Sequence, residues 1–235
     1  ARLHVLYETV GLEKGDKIAL CGRNSSMWAV NFLAATTYGC VAVAILADFD
    51  TAAIHALVNH SDAKLLMVGP MVWSNVTSSE MPNLKGILSI EDLKLLEARS
   101  EQFATHYAEW EQHFAAKYPN GFTRNDVQFE RFDVNAPVLI NYTSGSTGAP
   151  KGVMLSWRSI DSNIRFSQEK IPNSSADTLL SMLPMAHMFG LVIEVLYQVA
   201  GGTHITVLNK TPSPAVLMKA LHDVKPYMML TVPLV

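Results

Sequence analysis

Short runs of β-branched and other apolar residues alternate along this chain with longer stretches whose apolar positions recur every three or four residues. The runs are Lys17 to Leu20, Val41 to Leu46, Lys64 to Val68, Gly86 to Ile90, Val138 to Tyr142, Thr178 to Leu183, Thr203 to Leu208 and Tyr227 to Val232. Helical periodicity marks Met27 to Tyr38, Thr51 to His60, Ser156 to Lys170, His187 to Ala200 and Pro214 to Asp223. Apolar strands separated by helical patterns predict an α/β fold, layered βα units around largely parallel sheets. From Glu91 to Lys117, Leu96, Phe103, Tyr107, Trp110 and Phe114 fall at spacings of three, four and seven, which predicts one long helix with an otherwise acidic, solvated surface. The turn-rich Tyr118-Pro-Asn-Gly-Phe-Thr-Arg-Asn-Asp that follows reads as a surface loop. It marks a weak internal boundary near 118–136 in what is otherwise read as part of one large domain, 1–235.

Composition narrows the function classes. With 235 residues and 49% hydrophobic content the chain can bury a sizeable core. A formal charge of -3 supplies no basic field for a phosphate backbone, which argues against a nucleic-acid partner. Cys21 and Cys40 stand apart, so neither a disulfide framework nor a zinc knuckle is predicted and a reduced, cytoplasmic setting is expected. Ala1 to Val10 lacks the basic-then-apolar order of a signal peptide. Met182 to Ala200 is the nearest approach to a membrane span, but Pro184, His187 and Glu194 interrupt it, and a buried helix is the better reading. His55 and His60, and His106 and His113, lack a third ligand and are read as non-metal. Absence of an initiator Met and a terminus that reads as a core strand, Tyr227 to Val235, lead us to expect a piece of a longer protein.

The chemistry is concentrated in Tyr142-Thr-Ser-Gly-Ser-Thr-Gly-Ala-Pro-Lys-Gly152, directly after an apolar strand. Gly145, Gly148 and Gly152 let backbone N–H groups converge on an anion. Thr143, Ser144, Ser146 and Thr147 add hydroxyl donors, and Lys151 adds a mobile positive charge. Together they describe a cradle for a polyphosphate, although a polar Gly-Ser loop closing a hairpin has the same composition. Pro150 and Gly152 stand where a Walker A loop needs Gly before the lysine and Ser or Thr after it, and no Gly-x-Gly-x-x-Gly fingerprint occurs in the chain. His187 falls just after an apolar strand, at the start of a helical pattern, where spacing alone leaves structural and functional roles open.

Tyr142-Thr-Ser-Gly-Ser-Thr-Gly-Ala-Pro-Lys-Gly-Val-Met-Leu-Ser156 resembles the phosphate-loop signature of the adenylate-forming superfamily: acyl-CoA synthetases, luciferases and peptide-synthetase adenylation domains. Leu183-Pro-Met-Ala-His-Met-Phe-Gly190 is similar to that family's Leu-Pro-x-x-His motif. Gly15-Asp-Lys-Ile-Ala-Leu and Tyr38-Gly-Cys-Val-Ala-Val-Ala resemble its opening βα units. The wording is most like a bacterial long-chain fatty acid-CoA ligase, with Thr211-Pro-Ser-Pro and Val224-Lys-Pro-Tyr adding to the likeness. The resemblance implies ATP-dependent activation of a carboxylic acid to acyl-adenylate, then transfer to coenzyme A. By family position Thr143, Ser144, Gly145, Ser146, Thr147, Gly148 and Lys151 would bind ATP. Thr143 would also lie by the Mg²⁺ ion, Lys151 and His187 would be catalytic, and His187, Met188, Phe189 and Gly190 would meet the carboxylic acid. Trp157 departs from the histidine that many relatives carry there. The family's Tyr-Gly-x-Thr-Glu segment, ribose-binding Asp and C-terminal domain lie beyond Val235, so the isolated chain is expected to be inactive. An acyl carrier protein ligase, a non-enzymatic nucleotide- or acyl-binding module and an ADP-forming phosphotransferase remain open alternatives, as do peripheral membrane contact and a homo-oligomer.

Overall fold

The computed structural model describes residues 1–127, 133–143, 150–209 and 212–231. Helix α1 (Arg2–Thr9) is followed by β1 (Lys17–Cys21), α2 (Ser26–Tyr38), β2 (Val41–Ile45), α3 (Thr51–His60) and β3 (Ala63–Val68). A short turn of helix, α4 (Pro70–Trp73), leads to β4 (Gly86–Ser89), β5 (Leu95–Ala98) and α5 (Glu101–Lys117). Then come β6 (Pro137–Thr143), β7 (Lys151–Ser156), α6 (Trp157–Lys170) and β8 (Thr178–Ser181). A π-helical stretch at Gly190–Leu196 runs into α7 (Tyr197–Gly201), before β9 (His204–Val207), α8 (Pro214–Val224) and β10 (Met228–Met229).

Seven strands form one sheet in the order β5-β4-β3-β1-β2-β6-β7, parallel except for its two outer pairings, β4 with β5 and β6 with β7. A second, parallel sheet has the order β10-β8-β9. The continuous apolar character of the central strands follows from burial on both faces. Ile18 and Leu20, Ala42 and Ala44, and Leu65 and Met67 face one cluster, with Leu6, Tyr7, Trp28, Phe32, Phe103 and Trp110 from α1, α2 and α5. The alternate residues Ala19 and Cys21, Val43 and Ile45, and Leu66 and Val68 face the other, with Ile54, Leu57 and Val58 of α3. Burial pushes the thiols of Cys21 and Cys40 up to about 12, so neither is poised as a nucleophile.

Helix starts follow their caps. Ser25, Asp50, Ser100, Ser156 and Ser213 each accept a hydrogen bond from a backbone N–H in the first turn of the helix they precede. The single helix expected over Glu91 to Lys117 is instead a strand and a shorter helix. Leu93 takes φ 64°, a left-handed conformation that breaks a helix and turns the chain back on itself. Leu96 therefore sits in β5, antiparallel to β4, and the stripe from Phe103 onward belongs to α5, restarted by the Ser100 cap. Helix α1, whose Arg2 pairs with Glu111 and whose Glu8 pairs with Lys117, was not among the expected helices. Among the described residues, no helix is long and apolar enough to cross a membrane.

Gly86 marks the tightest contact between the sheet and α5, since a Cβ there would lie 2.4 Å from the Phe103 ring. Gly86→Ala is expected to destabilise the chain by about 1–3 kcal/mol through overpacking. Adding Phe103→Leu should recover part of that loss in urea unfolding. A double variant less stable than the sum of the two single changes would show that the ring is not the obstacle.

Candidate active site

Strands β6 and β7 form an antiparallel hairpin whose register sets Thr143 opposite Lys151 and Tyr142 opposite Gly152. The hairpin that composition left open is present as the two strands on either side of the hydroxyl- and glycine-rich stretch. Ser144, Gly145, Ser146, Thr147 and Gly148 lie outside the described residues, and Thr143 and Lys151 are both exposed where the stem meets them. Gly152 packs closely, because a Cβ there would come within 3.2 Å of the Tyr142 ring and 3.1 Å of Ile140 Cγ2. The Tyr142 hydroxyl is hydrogen-bonded to Nδ1 of His60 at 2.8 Å, and burial raises its pKa. The last residue of α3 therefore fixes the root of the loop.

Residues 182–187 connect the end of β8 to the helical residues that open the π-helical stretch, and half-buried or buried side chains from three places hold its backbone. Asn24, in the turn after β1, donates from Nδ2 to Leu183 O at 2.6 Å and accepts from Met185 N at 2.8 Å. Asn141 of β6 donates to Ala186 O at 2.8 Å. Glu194 accepts at one oxygen, Oε2, from the Ser181 hydroxyl at 2.8 Å and from the N–H groups of Met182 and Leu183, each at 3.0 Å. His187 N donates to Pro184 O at 3.0 Å, closing the turn. Gly190 is buried against the same carbonyl, which would stand 2.4 Å from an added Cβ. The segment thus has paired backbone groups although it is neither strand nor helix.

Glu194 is fully buried, and burial, outweighing its three hydrogen bonds, pushes its carboxyl up to about 7. Its other oxygen, Oε1, is buried with no partner among the described residues.

Beside this connection lies a cavity of about 340 Å³, lined by Leu155 of β7, Ser159, Ile160 and Asn163 of α6, and His187, Met188, Phe189, Val192 and Ile193. Its volume is at the lower end of the range for small-molecule pockets, and its wall is mostly apolar. His187 is exposed to this space, and its Nδ1 accepts from Phe189 N at 3.3 Å. Of the four residues read as meeting a carboxylic acid, His187, Met188 and Phe189 line the cavity, while Gly190 packs behind it. Lys151 and Leu155 lie on the same face of β7, roughly 13 Å apart at about 3.3 Å per residue. The strand thus runs from Lys151 to the cavity wall. A second cavity, of about 270 Å³, lies at the carboxyl ends of β1 and β3, where the strand order reverses, and includes Arg23, Asp48 and Glu91. Among the described residues no group of three or more His, Cys, Asp or Glu could hold a metal ion.

Sequence reasoning missed Asn24, Asn141 and Glu194. The signal was present in two of them, as single polar residues inside apolar runs, where only a specific internal partner makes burial tolerable.

Residues 4–235 match the AMP-binding enzyme family. The chain is 26% identical over 223 residues to the acyl-CoA ligase sidI of Aspergillus fumigatus, covering 92% of this chain and 37% of that protein. It is 29% identical over 196 residues to fatty acyl-CoA synthetase A of Dictyostelium discoideum, covering 82% of this chain and 29% of that protein. The chain thus spans well under half the length of these relatives. In fold it is similar to a red-emitting luciferase of Phrixothrix hirtus, with a TM-score of 0.79 at 21% identity over 96% of this chain and 42% of that one.

Two outcomes follow from the brace. Asn24→Ala leaves Leu183 O and Met185 N without their partner and is expected to lower unfolding free energy by about 1–3 kcal/mol. Asn24→Asp should not rescue it, because a carboxylate oxygen would then face Leu183 O. A change below about 0.5 kcal/mol in urea unfolding would mean that water replaces the amide. Because the folded chain holds the Glu194 proton more tightly than the unfolded chain, this group's contribution to stability is greatest below its ordinary value of 4.5. It declines as pH rises through about 7. Glu194→Gln should flatten that part of the stability–pH curve, as read by thermal melts from pH 4.5 to 8.

Proposed function

Because the chain belongs to the AMP-binding enzyme family, we propose that it carries the phosphate-gripping and acyl-binding half of an AMP-forming acyl-CoA ligase acting on long-chain fatty acids. The observation that carries this reading is the shared position of His187, Met188 and Phe189 on an apolar cavity whose wall includes the strand that bears Lys151. In the first half-reaction a carboxylate oxygen attacks the α-phosphorus of ATP. The bond to the bridging oxygen breaks, and pyrophosphate leaves with its electron pair. In the second, the thiol sulfur of coenzyme A attacks the acyl carbonyl carbon and AMP departs.

Lys151, at the exposed root of the hairpin, is assigned to charge that builds on the departing pyrophosphate. The loop donors Ser144, Gly145, Ser146, Thr147 and Gly148 are assigned to the same phosphates. A Mg²⁺ ion carried on ATP needs few protein ligands and accepts hydroxyl oxygen, so Thr143 suits it; when bound, the ion neutralises phosphate charge. His187 orients the substrate carboxylate, and Met188, Phe189, Leu155, Val192 and Ile193 exclude water from the chain behind it. An aliphatic acid is favoured by that apolar wall, and the fatty acyl-CoA synthetase among the relatives supports the same class.

Carboxylate-dependent ATP–pyrophosphate exchange by the full-length protein tests the assignment. Lys151→Ala is expected to slow exchange roughly 100- to 1,000-fold, about 2.7–4 kcal/mol, with fatty acid binding retained. Exchange at the wild-type rate would remove Lys151 from the phosphates. His187→Ala should raise the KM for carboxylate or lower the exchange rate without moving the thermal midpoint, since the ring is exposed. Palmitate should exceed acetate in kcat/KM. The reverse order would overturn the long-chain assignment, and ADP as product would overturn the reaction class.

A further inference from the structure

We infer that Glu194 is a positioning residue for His187, setting the approach of the segment that carries the imidazole in a way that depends on whether the buried carboxyl holds a proton. Its catalytic consequence rests on the reading of His187 as the group that orients the substrate carboxylate. His187 lies four residues beyond Leu183, and among the described residues its exposed ring has one hydrogen bond, from Phe189 N. The ring therefore inherits its place from the backbone of 183–187. That backbone is pinned at Leu183 N by Glu194, at Leu183 O and Met185 N by Asn24, and at Ala186 O by Asn141. Two of these anchors are amides, which keep one charge state across the working pH range. Glu194 is the anchor that titrates.

The geometry gives its two protonation states different demands. Ionised, Oε2 accepts three hydrogen bonds at once, from the Ser181 hydroxyl and from Met182 N and Leu183 N. A proton on Oε1 would be buried without a partner among the described residues. A proton on Oε2 would compete with the incoming donors. The Ser181 hydroxyl can turn round to accept it, but the two backbone N–H groups cannot. The segment at Met182 and Leu183 must therefore loosen or shift when the carboxyl is neutral.

Burial sets the midpoint near 7, and the opposing contributions come from those same three hydrogen bonds. The other titratable or charged groups on the packed elements stand out in solvent: Arg158, Asp161, Arg165, Glu169 and Lys170 of α6, Lys219, His222 and Asp223 of α8, and His204 of β9. Tyr197 of α7 spends its hydroxyl on Ile171 O. The ionised state is assigned as the aligned one, so affinity for the carboxylate substrate should fall as pH drops below about 7.

The test is NMR of the full chain from pH 5.5 to 8.5, following the amides of Met182 and Leu183 and the ring C–H signals of His187. In the wild type these should share an inflection near pH 7, and Glu194→Gln should abolish it. Ser181→Ala removes a hydrogen bond that favours the ionised form, so it should move the inflection to higher pH, and it serves if the Gln variant does not fold. His187 ring signals in Glu194→Gln that keep the wild-type inflection, or an inflection unmoved by Ser181→Ala, overturn the inference. In the catalytic assay the KM for carboxylate should rise several-fold between pH 8 and 6, and Glu194→Gln should hold the higher value throughout. Coupled NMR inflections in a protein that forms no acyl-adenylate would uphold the positioning role and place the failure in the functional reading. Adenylation with uncoupled inflections would do the opposite.

Discussion

The irregular connection between β8 and the π-helical stretch can be buried because other side chains replace the hydrogen bonds that a strand or helix would have supplied. Asn24 comes from the turn after β1, Asn141 from β6, and Glu194 from the π-helical stretch itself. A buried peptide group without a partner costs about 1–3 kcal/mol, so these contacts are conditions for the connection rather than additions to it. They also join the two sheets. Asn141 belongs to the seven-stranded sheet and Asn24 to the turn that leaves it, and the residues they hold follow directly from the second sheet. The position of His187 is consequently set by both.

Most of the framework was legible because it depends on local pattern. Apolar runs at β1, β2 and β3 read as strands buried on both faces, and the two core clusters show the alternation that makes them so. The helical periodicities from Met27, Thr51 and Pro214 begin within a residue of helices whose starts are fixed by the caps Ser25, Asp50 and Ser213. The long helix over Glu91 to Lys117 misled because Leu96 falls in phase with Phe103 whether the chain between them is helical or not. What broke it was a left-handed residue, Leu93, that is not glycine or asparagine, and such a residue gives no warning in sequence. The antiparallel strand β7 was hidden for a different reason: Lys151 and Gly152 read as the tail of a loop, and only the pairing of Gly152 with Tyr142 makes them strand.

The site divides along the same line. Its short, contiguous parts, the phosphate-loop wording and the 183–190 segment, were visible as words. Its supports were not, since Asn24, Asn141 and Glu194 are drawn together across more than a hundred residues of chain, and no local spacing relates them. Glu194 could be noticed as a charge in an apolar run, which argued against a membrane span, but the identity of its partners needed the fold.

The two outer pairings of the large sheet bear on how the molecule assembles. The hairpin of β6 and β7 joins neighbours in sequence, and such hairpins close in roughly 1–10 μs. The parallel centre of the sheet and the brace at 183–187 require partners far apart in the chain, with Asn24 lying 159 and 161 residues from the groups it holds. Closing loops of that size comes late, because their entropy is lost before any contact rewards it. The β6–β7 hairpin can therefore close early, while the connection at 182–187 waits for long-range closure. During that interval the apolar run from Leu191 to Leu196 is exposed in a partly folded chain, and there this protein is most open to capture by a chaperone or by another copy of itself.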